Sequence, residues 1–252
     1  MKIQYCSDLH LEFLDNQKWI LDNPIEPRGH ILILAGDIIL FNEIHQHQKF
    51  FDHISSHFEH TFWIPGNHEY YHSDISQRSG AFEEKIRDNV TLLNNTVKTI
   101  NGVRFVFSTL WSQISPAKHF IIQQSLSDFR VIQNDKKKLA VEDYNQIHRE
   151  SRVFLEEALK NQTNIPTVVI THHPPTFINY PEKYANSTIN EAFGTEMCNF
   201  IEDSKIDYWI YGHHHCNVSD FTIGKTKLVT NQLGYIKYHE NENFRNDAVF
   251  SI

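Results

Sequence analysis

Cysteine is scarce in this chain: Cys6, Cys198 and Cys216 are the only three in 252 residues. They are odd in number and show no C-x-x-C spacing, which argues against a disulfide scaffold or a structural zinc site. No apolar run approaches the ~20 residues of a membrane helix, so no span is expected. Met1-Lys2-Ile3-Gln4-Tyr5 enters a strand pattern directly, without the apolar core of a signal peptide, and the plain expectation is a cytosolic protein. Positive charge is also short. Lys and Arg total 23 against 31 Asp and Glu, leaving a formal charge of −8, which speaks against broad binding to a nucleic-acid backbone. Anionic substrates stay open, because bound dications would reverse the local field. No repeat, linker or low-complexity tract interrupts the sequence, and one domain over residues 1–252 is expected.

Histidine, by contrast, is plentiful at seventeen. His45, His47, His53, His57 and His60 lie in a polar, helix-like stretch at mixed spacing and are read as solvated surface. The others recur in a pattern. Asp8-Leu9-His10 ends the first apolar run, Gly36-Asp37 the second, and Gly66-Asn67-His68-Glu69 the third. Thr171-His172-His173-Pro174-Pro175 and Gly212-His213-His214-His215 end two more. Five strand patterns therefore stop at Asp, Asn or His, and in α/β sheets the carboxyl ends of strands are where ligands bind. Singly, Asp8 or Asp37 could cap a turn and the glycines could mark tight turns. Five such coincidences in one ordered chain point to a site.

The remaining pattern is mixed α/β. Strands are expected at residues 2–7, 30–35, 61–64, 90–93, 97–100, 103–108, 167–170 and 208–211. Asn101-Gly102 and Gly224-Lys225 mark hairpins, the second joining 218–223 to 227–230, and residues 247–252 suggest an edge strand. Helices are expected at Phe41 to Phe58, Ala81 to Asp88, Val141 to Lys160 and Phe193 to Glu202, while the chain around Asn23-Pro24 reads as irregular. Residues 111–139 are weakly patterned and read as a lid or cap insertion, with Lys136-Lys137-Lys138 a solvated face.

Counted as donors, Asp8, His10, Asp37, Asn67, His172, His213 and His215 supply two carboxylates, one amide oxygen and four imidazoles. That suits two metals sharing a carboxylate, and nitrogen with oxygen but no sulfur suits Mn, Fe, Zn or Co. Two such dications can clamp a phosphoryl group and lower the pKa of a bridging water. His68 is spare, placed to protonate a leaving oxygen. In their order, the five motifs resemble those of the calcineurin-like metallophosphoesterases, from Met1 to about Tyr235. The resemblance implies a four-layer α/β/β/α sandwich with a binuclear centre. One metal would take Asp8, His10, Asp37 and His215; the other would take Asp37, Asn67, His172 and His213. Asp37 would bridge, His68 would be the catalytic imidazole, and His173 and His214 would fall outside the ligand set.

The expected function is hydrolysis of a small phosphorylated substrate, monoester or diester, with manganese the metal of choice for assay. A DNA nuclease of the same superfamily is the alternative, and a silent protein-binding scaffold a remoter one, since no ligand position is replaced. Around the site, Tyr70, Tyr71 and His72 could line the cleft or simply pack. Arg130 could meet a phosphate, though a surface ion pair fits it better. Asn231 is expected near the cleft, and Cys216 is read as a buried filler.

Overall fold

The computed structural model describes residues 1–160 and 164–252. In chain order the elements are β1 (Lys2–Cys6), α1 (Leu14–Asp22), β2 (Ile31–Ala35), α2 (Gln48–His57), β3 (His60–Ile64), β4 (Phe82–Arg87), β5 (Val90–Asn94), β6 (Thr96–Ile100) and β7 (Val103–Ser108). There follow α3 (His119–Ser125), α4 (Asp128–Val131), β8 (Gln133–Asn134), β9 (Lys137–Lys138), α5 (Val141–Lys160), β10 (Thr167–Thr171), α6 (Cys198–Asp203), β11 (Tyr208–Tyr211), β12 (Phe221–Ile223), β13 (Thr226–Thr230) and β14 (Val249–Ser251).

Two six-stranded sheets, ordered β14-β1-β2-β3-β5-β4 and β12-β13-β11-β10-β7-β6, form the centre. Inner pairs such as β1–β2, β2–β3 and β10–β11 run parallel, whereas the edge strands β14, β4, β12 and β6 run antiparallel. A strand's side chains alternate between faces, so a strand covered on both must be apolar throughout. In β2, Ile31, Ile33 and Ala35 face the opposing sheet, meeting Phe105, Phe107, Val168 and Ile170. Leu32 and Leu34 face outward onto Phe51 and Ile54 of α2. On the far side Val169, Trp209 and Leu228 pack with Leu155 of α5 and Ile201 of α6. The four layers are those of the calcineurin-like α/β/β/α sandwich.

Several expectations need correction. Within 81–88, where a helix was expected, Phe82–Arg87 form strand β4. Its burial alternates over most of its length, and Glu83 and Glu84, on opposite faces, pair with Lys98 and Arg78; charges on an edge strand deter pairing with other chains. The helix expected from Phe41 to Phe58 begins as a 3₁₀ turn, Phe41–Gln46, before α2. The helix expected over 193–202 shrinks to α6, where Glu196 accepts from the Cys198 amide at 2.8 Å. Helix α1 was not expected, because Leu14 and Leu21 lie on its exposed side and blur the amphipathic signal. Lys137 and Lys138 are exposed on a small surface hairpin with β8. Among the described residues no helix is long and apolar enough to cross a membrane.

One buried side chain joins the strand exits. Glu69 is fully buried and accepts from the amides of Asp37 (3.0 Å), Ile38 (2.8 Å) and Gly66 (2.7 Å) and from the Trp63 indole (2.9 Å). Burial and the Asp37 carboxylate raise its pKa, while four N–H donors, two on each oxygen, favour the ionised form. In Glu69→Gln the new amide would turn donor toward donor, leaving buried N–H groups unmatched. The expected cost is about 2–4 kcal/mol, read as a lower midpoint in chemical denaturation with an unchanged slope.

Candidate metal centre

The carboxyl ends of β1, β2 and β3 in one sheet and of β10 and β11 in the other meet at one edge of the sandwich. Each delivers its motif there, and seven sequence-selected side chains converge. Asp8, His10, Asp37 and His215 form one group of potential ligand atoms, and Asp37, His172 and His213 form a second, all buried or nearly so. Asp37 belongs to both: its Oδ2 lies 3.8 Å from His10 Nε2 and 3.4 Å from His172 Nε2. His10 Nε2 faces His215 Nε2 at 2.9 Å, and His172 Nε2 faces His213 Nδ1 at 3.1 Å.

The backbone adopts unfavourable conformations to place these groups. Asp8, His10, Asp37, His213 and His215 have φ of +56°, +48°, +55°, +80° and +48°, in the left-handed region that costs a side-chain-bearing residue about 1 kcal/mol or more. Local contacts hold them there, as where Asp8 accepts from the His213 amide at 3.0 Å. The motif glycines are required by close approach. A Cβ on Gly66 would strike Asp37 Oδ1 and His172 Nε2, and one on Gly212 would strike Asp8 Oδ2.

Asn67 supplies the clearest sign that a cation fits. Its Nδ2 donates to Asp128 Oδ1 at 3.1 Å, while its Oδ1 is buried with no hydrogen-bond partner among the described residues. A buried orphan acceptor is costly; coordination would relieve it. Charge tells the same story. Burial favours neutral His172 and His215, but Asp37 lifts the first to about 9 and Asp8 with Glu240 lifts the second to about 10. The clustered carboxylates thus demand positive charge, which in a metal-free chain only protons can supply. His213, pressed by burial and by its histidine neighbours, is held well below the usual range and offers a free lone pair.

Three of the four imidazoles in the two groups are braced from behind, as ligating imidazoles usually are. His172 Nδ1 meets the Ala35 carbonyl at 2.9 Å, His215 Nδ1 meets Glu240 at 2.7 Å, and His10 Nδ1 meets Glu12 at 2.9 Å. His68 sits beside His10 of the first group, their rings 4.5 Å apart, its amide donating to Asp37 Oδ1 at 2.9 Å and its ring stacked on Tyr71 at 4.0 Å. Burial disfavours the imidazolium, yet Asp37 and Glu12 outweigh it and raise the His68 pKa.

His173 and His214 stand outside both groups. His173 lies 3.2 Å from the Tyr144 hydroxyl with its ring 4.1 Å from that of His213, and His214 Nδ1 accepts from Gln232 at 3.1 Å. Tyr70 packs in the core and donates to the Arg78 carbonyl, whereas Tyr71 lines the cleft and donates to Asp128 at 2.7 Å. The amide of His72 donates to the Val131 carbonyl at 3.1 Å. Arg130 is turned away, its guanidinium donating to the Gln124 carbonyl rather than to a carboxylate, because α4 points Asp128 inward instead. Asn231 is buried behind the site, tying the Tyr5 and Arg245 carbonyls. Cys216 is half-buried and belongs to neither group.

Four functional neighbours were missed by sequence reasoning: Glu12, Asp128, Tyr235 and Glu240. Glu12 and Glu240 brace rings, Asp128 orients the Asn67 amide, and the Tyr235 hydroxyl lies 3.2 Å from His68 Nε2. Above the centre opens a cleft of about 280 Å³ walled by Ser125–Asp128, by Tyr184 and Phe193, and by Tyr235. The 111–139 segment therefore contributes a wall of the cleft.

Comparison with known proteins gives the family and the fold. The family model described as calcineurin-like phosphoesterase matches residues 1–217. An uncharacterized protein of Acanthamoeba polyphaga mimivirus is 34% identical, over 99% of this chain and 96% of its own length. Among solved structures, a phosphopantetheinyl hydrolase from Mycobacterium tuberculosis superposes with a TM-score of 0.72 at 18% identity, covering 96% of this chain and 92% of that one.

Loading the centre must displace the protons on His172 and His215, whose pKa values lie above neutrality. Near neutral pH, cation binding is expected to release about two protons per chain and to tighten as pH rises toward the values of those rings. Calorimetry in two buffers of different ionisation heat measures this; no proton release would show the rings to be neutral already.

Proposed function

The chain belongs to the calcineurin-like phosphoesterase family, and we propose that it hydrolyses an ester of a small phosphorylated molecule at a centre of two divalent cations. In this reading Asp8, His10, Asp37 and His215 hold one cation and Asp37, Asn67, His172 and His213 the other. The observation that carries it is the pairing of a shared Asp37 carboxylate with the orphan oxygen of Asn67. When bound, the cations supply neutralisation of phosphoryl charge and a lowered pKa for the attacking water.

The chain's own residues do the rest. Asp37 fixes the His68 backbone through its Oδ1 and faces both ligand groups through its Oδ2, so one side chain registers the proton donor against the centre. His68, its pKa raised by Asp37 and Glu12, is the group placed to deliver a proton to the leaving oxygen. Tyr71, stacked on the ring, prevents it from swinging out. The aromatic walls at Tyr184, Phe193 and Tyr235 hold the organic part of the substrate and exclude water around the departing group. The donor set contains no thiolate, and manganese, iron, zinc or cobalt all suit it.

The test is hydrolysis of a chromogenic phosphodiester and its monoester by the manganese-loaded protein, with a phosphopantetheinyl ester added because the fold neighbour is a phosphopantetheinyl hydrolase. Turnover of at least one is expected, and Asp37→Asn should lower it by ~10²-fold or more. Equal activity in that variant would sink the two-cation reading.

A further inference from the structure

Glu12 does something the other bracing groups do not. Its Oε1 lies 2.9 Å from His10 Nδ1 and 2.9 Å from His68 Nδ1, so a single oxygen serves two rings of different task. Glu240 and the Ala35 carbonyl each brace one ring. The two imidazoles served by Glu12 meet edge to face, 4.5 Å apart at 76°. The Glu12 side chain is only 7% exposed, and its second oxygen is buried with no hydrogen-bond partner among the described residues. A carboxylate can only accept, so both Nδ1 atoms carry the hydrogen. Both Nε2 atoms are then the ones turned to the site: that of His10 toward His215, that of His68 toward the Tyr235 hydroxyl.

We infer that Glu12 is a positioning residue that couples the His10 cation position to the proton-donating imidazole of His68, fixing tautomer and orientation of both through one oxygen. The inference rests on the proposed role of His68. It sets Glu12 apart from an ordinary brace in one respect. Losing a brace for His10 alone would weaken cation binding and slow every substrate alike. Losing the coupling also misdirects the proton, which matters most when the leaving group is a poor one.

The experiment compares wild type, Glu12→Gln, His68→Ala and the double variant, manganese-loaded, on a 4-nitrophenyl ester and an alkyl ester of the same phosphate. Glu12→Gln is expected to lower kcat on the alkyl ester by ~10–100-fold, at little change in KM, and on the nitrophenyl ester by several-fold less. Bound metal, measured by elemental mass spectrometry, should be retained. Adding Glu12→Gln to His68→Ala should slow the alkyl ester little further, the non-additivity of residues acting as a unit. An equal loss on both esters that tracks loss of metal would overturn the proposal and leave Glu12 a brace for His10. Should the Gln variant not fold, Glu12→Asp keeps the charge, and the same split is expected of it.

A readout independent of turnover separates this inference from the hydrolase reading. In ¹⁵N-histidine spectra of the zinc-loaded chain, substitution of Glu12 should move the Nδ1 signals of His10 and His68 together. Movement of the His10 signal alone overturns the coupling, even if no ester tested is hydrolysed.

Discussion

The site depends on one buried carboxylate accepting four hydrogen bonds. Glu69 reaches back from the turn after β3 to the amides at the exit of β2, so neither exit can shift without breaking the other's bonds. The indole that completes its coordination belongs to Trp63, a fully buried residue of β3 packed on Phe51. Sheet, helix layer and ligand loops are thereby referenced to one point. Burying such a group would be prohibitive without its donors; with them it makes the spacing of Asp37 and Asn67 a property of the sheet rather than of flexible loops.

From that point outward, order is passed along hydrogen bonds. Glu69 sets Asp37, Asp37 sets the His68 backbone, and Glu12 sets the ring. On the other flank Asp128, brought in by the 111–139 segment, accepts a hydrogen bond from the Asn67 amide nitrogen and leaves its oxygen facing inward. Glu240 comes from still farther along the chain to hold His215. Carboxylates thus surround the centre in two ranks, Asp8 and Asp37 within and Glu12, Asp128 and Glu240 behind. This arrangement would be self-repelling unless cations or protons stood among them.

What could be read from the sequence and what could not divide along physical lines. The convergence of Asp8, His10, Asp37, Asn67, His172, His213 and His215 was legible because each lies within four residues of the end of its strand, and a strand's carboxyl end is a fixed place in an α/β sandwich. Glu12 and Asp128 were not, since their roles arise from turns whose direction only tertiary packing decides. The same holds for Glu240 and Tyr235, which approach from a segment with no periodic signal. The error over 81–88 has a comparable origin. Glu83, Glu84 and Lys85 favour a helix locally, but a vacant sheet edge beside β5 overrode that preference. Helix α1 escaped notice because its exposed leucines hide the face that packs.

The left-handed backbone at Asp8, His10, Asp37, His213 and His215 carries a lesson about how such a chain can change over time. Glycine occupies that conformation without strain. At these positions, then, stability and chemistry pull in opposite directions. A lineage released from the need for catalysis and filtered only for folding would drift toward glycine in the ligand turns first, while the sheets kept their pattern. The scars of lost activity would therefore appear as relaxed turns in an intact sandwich.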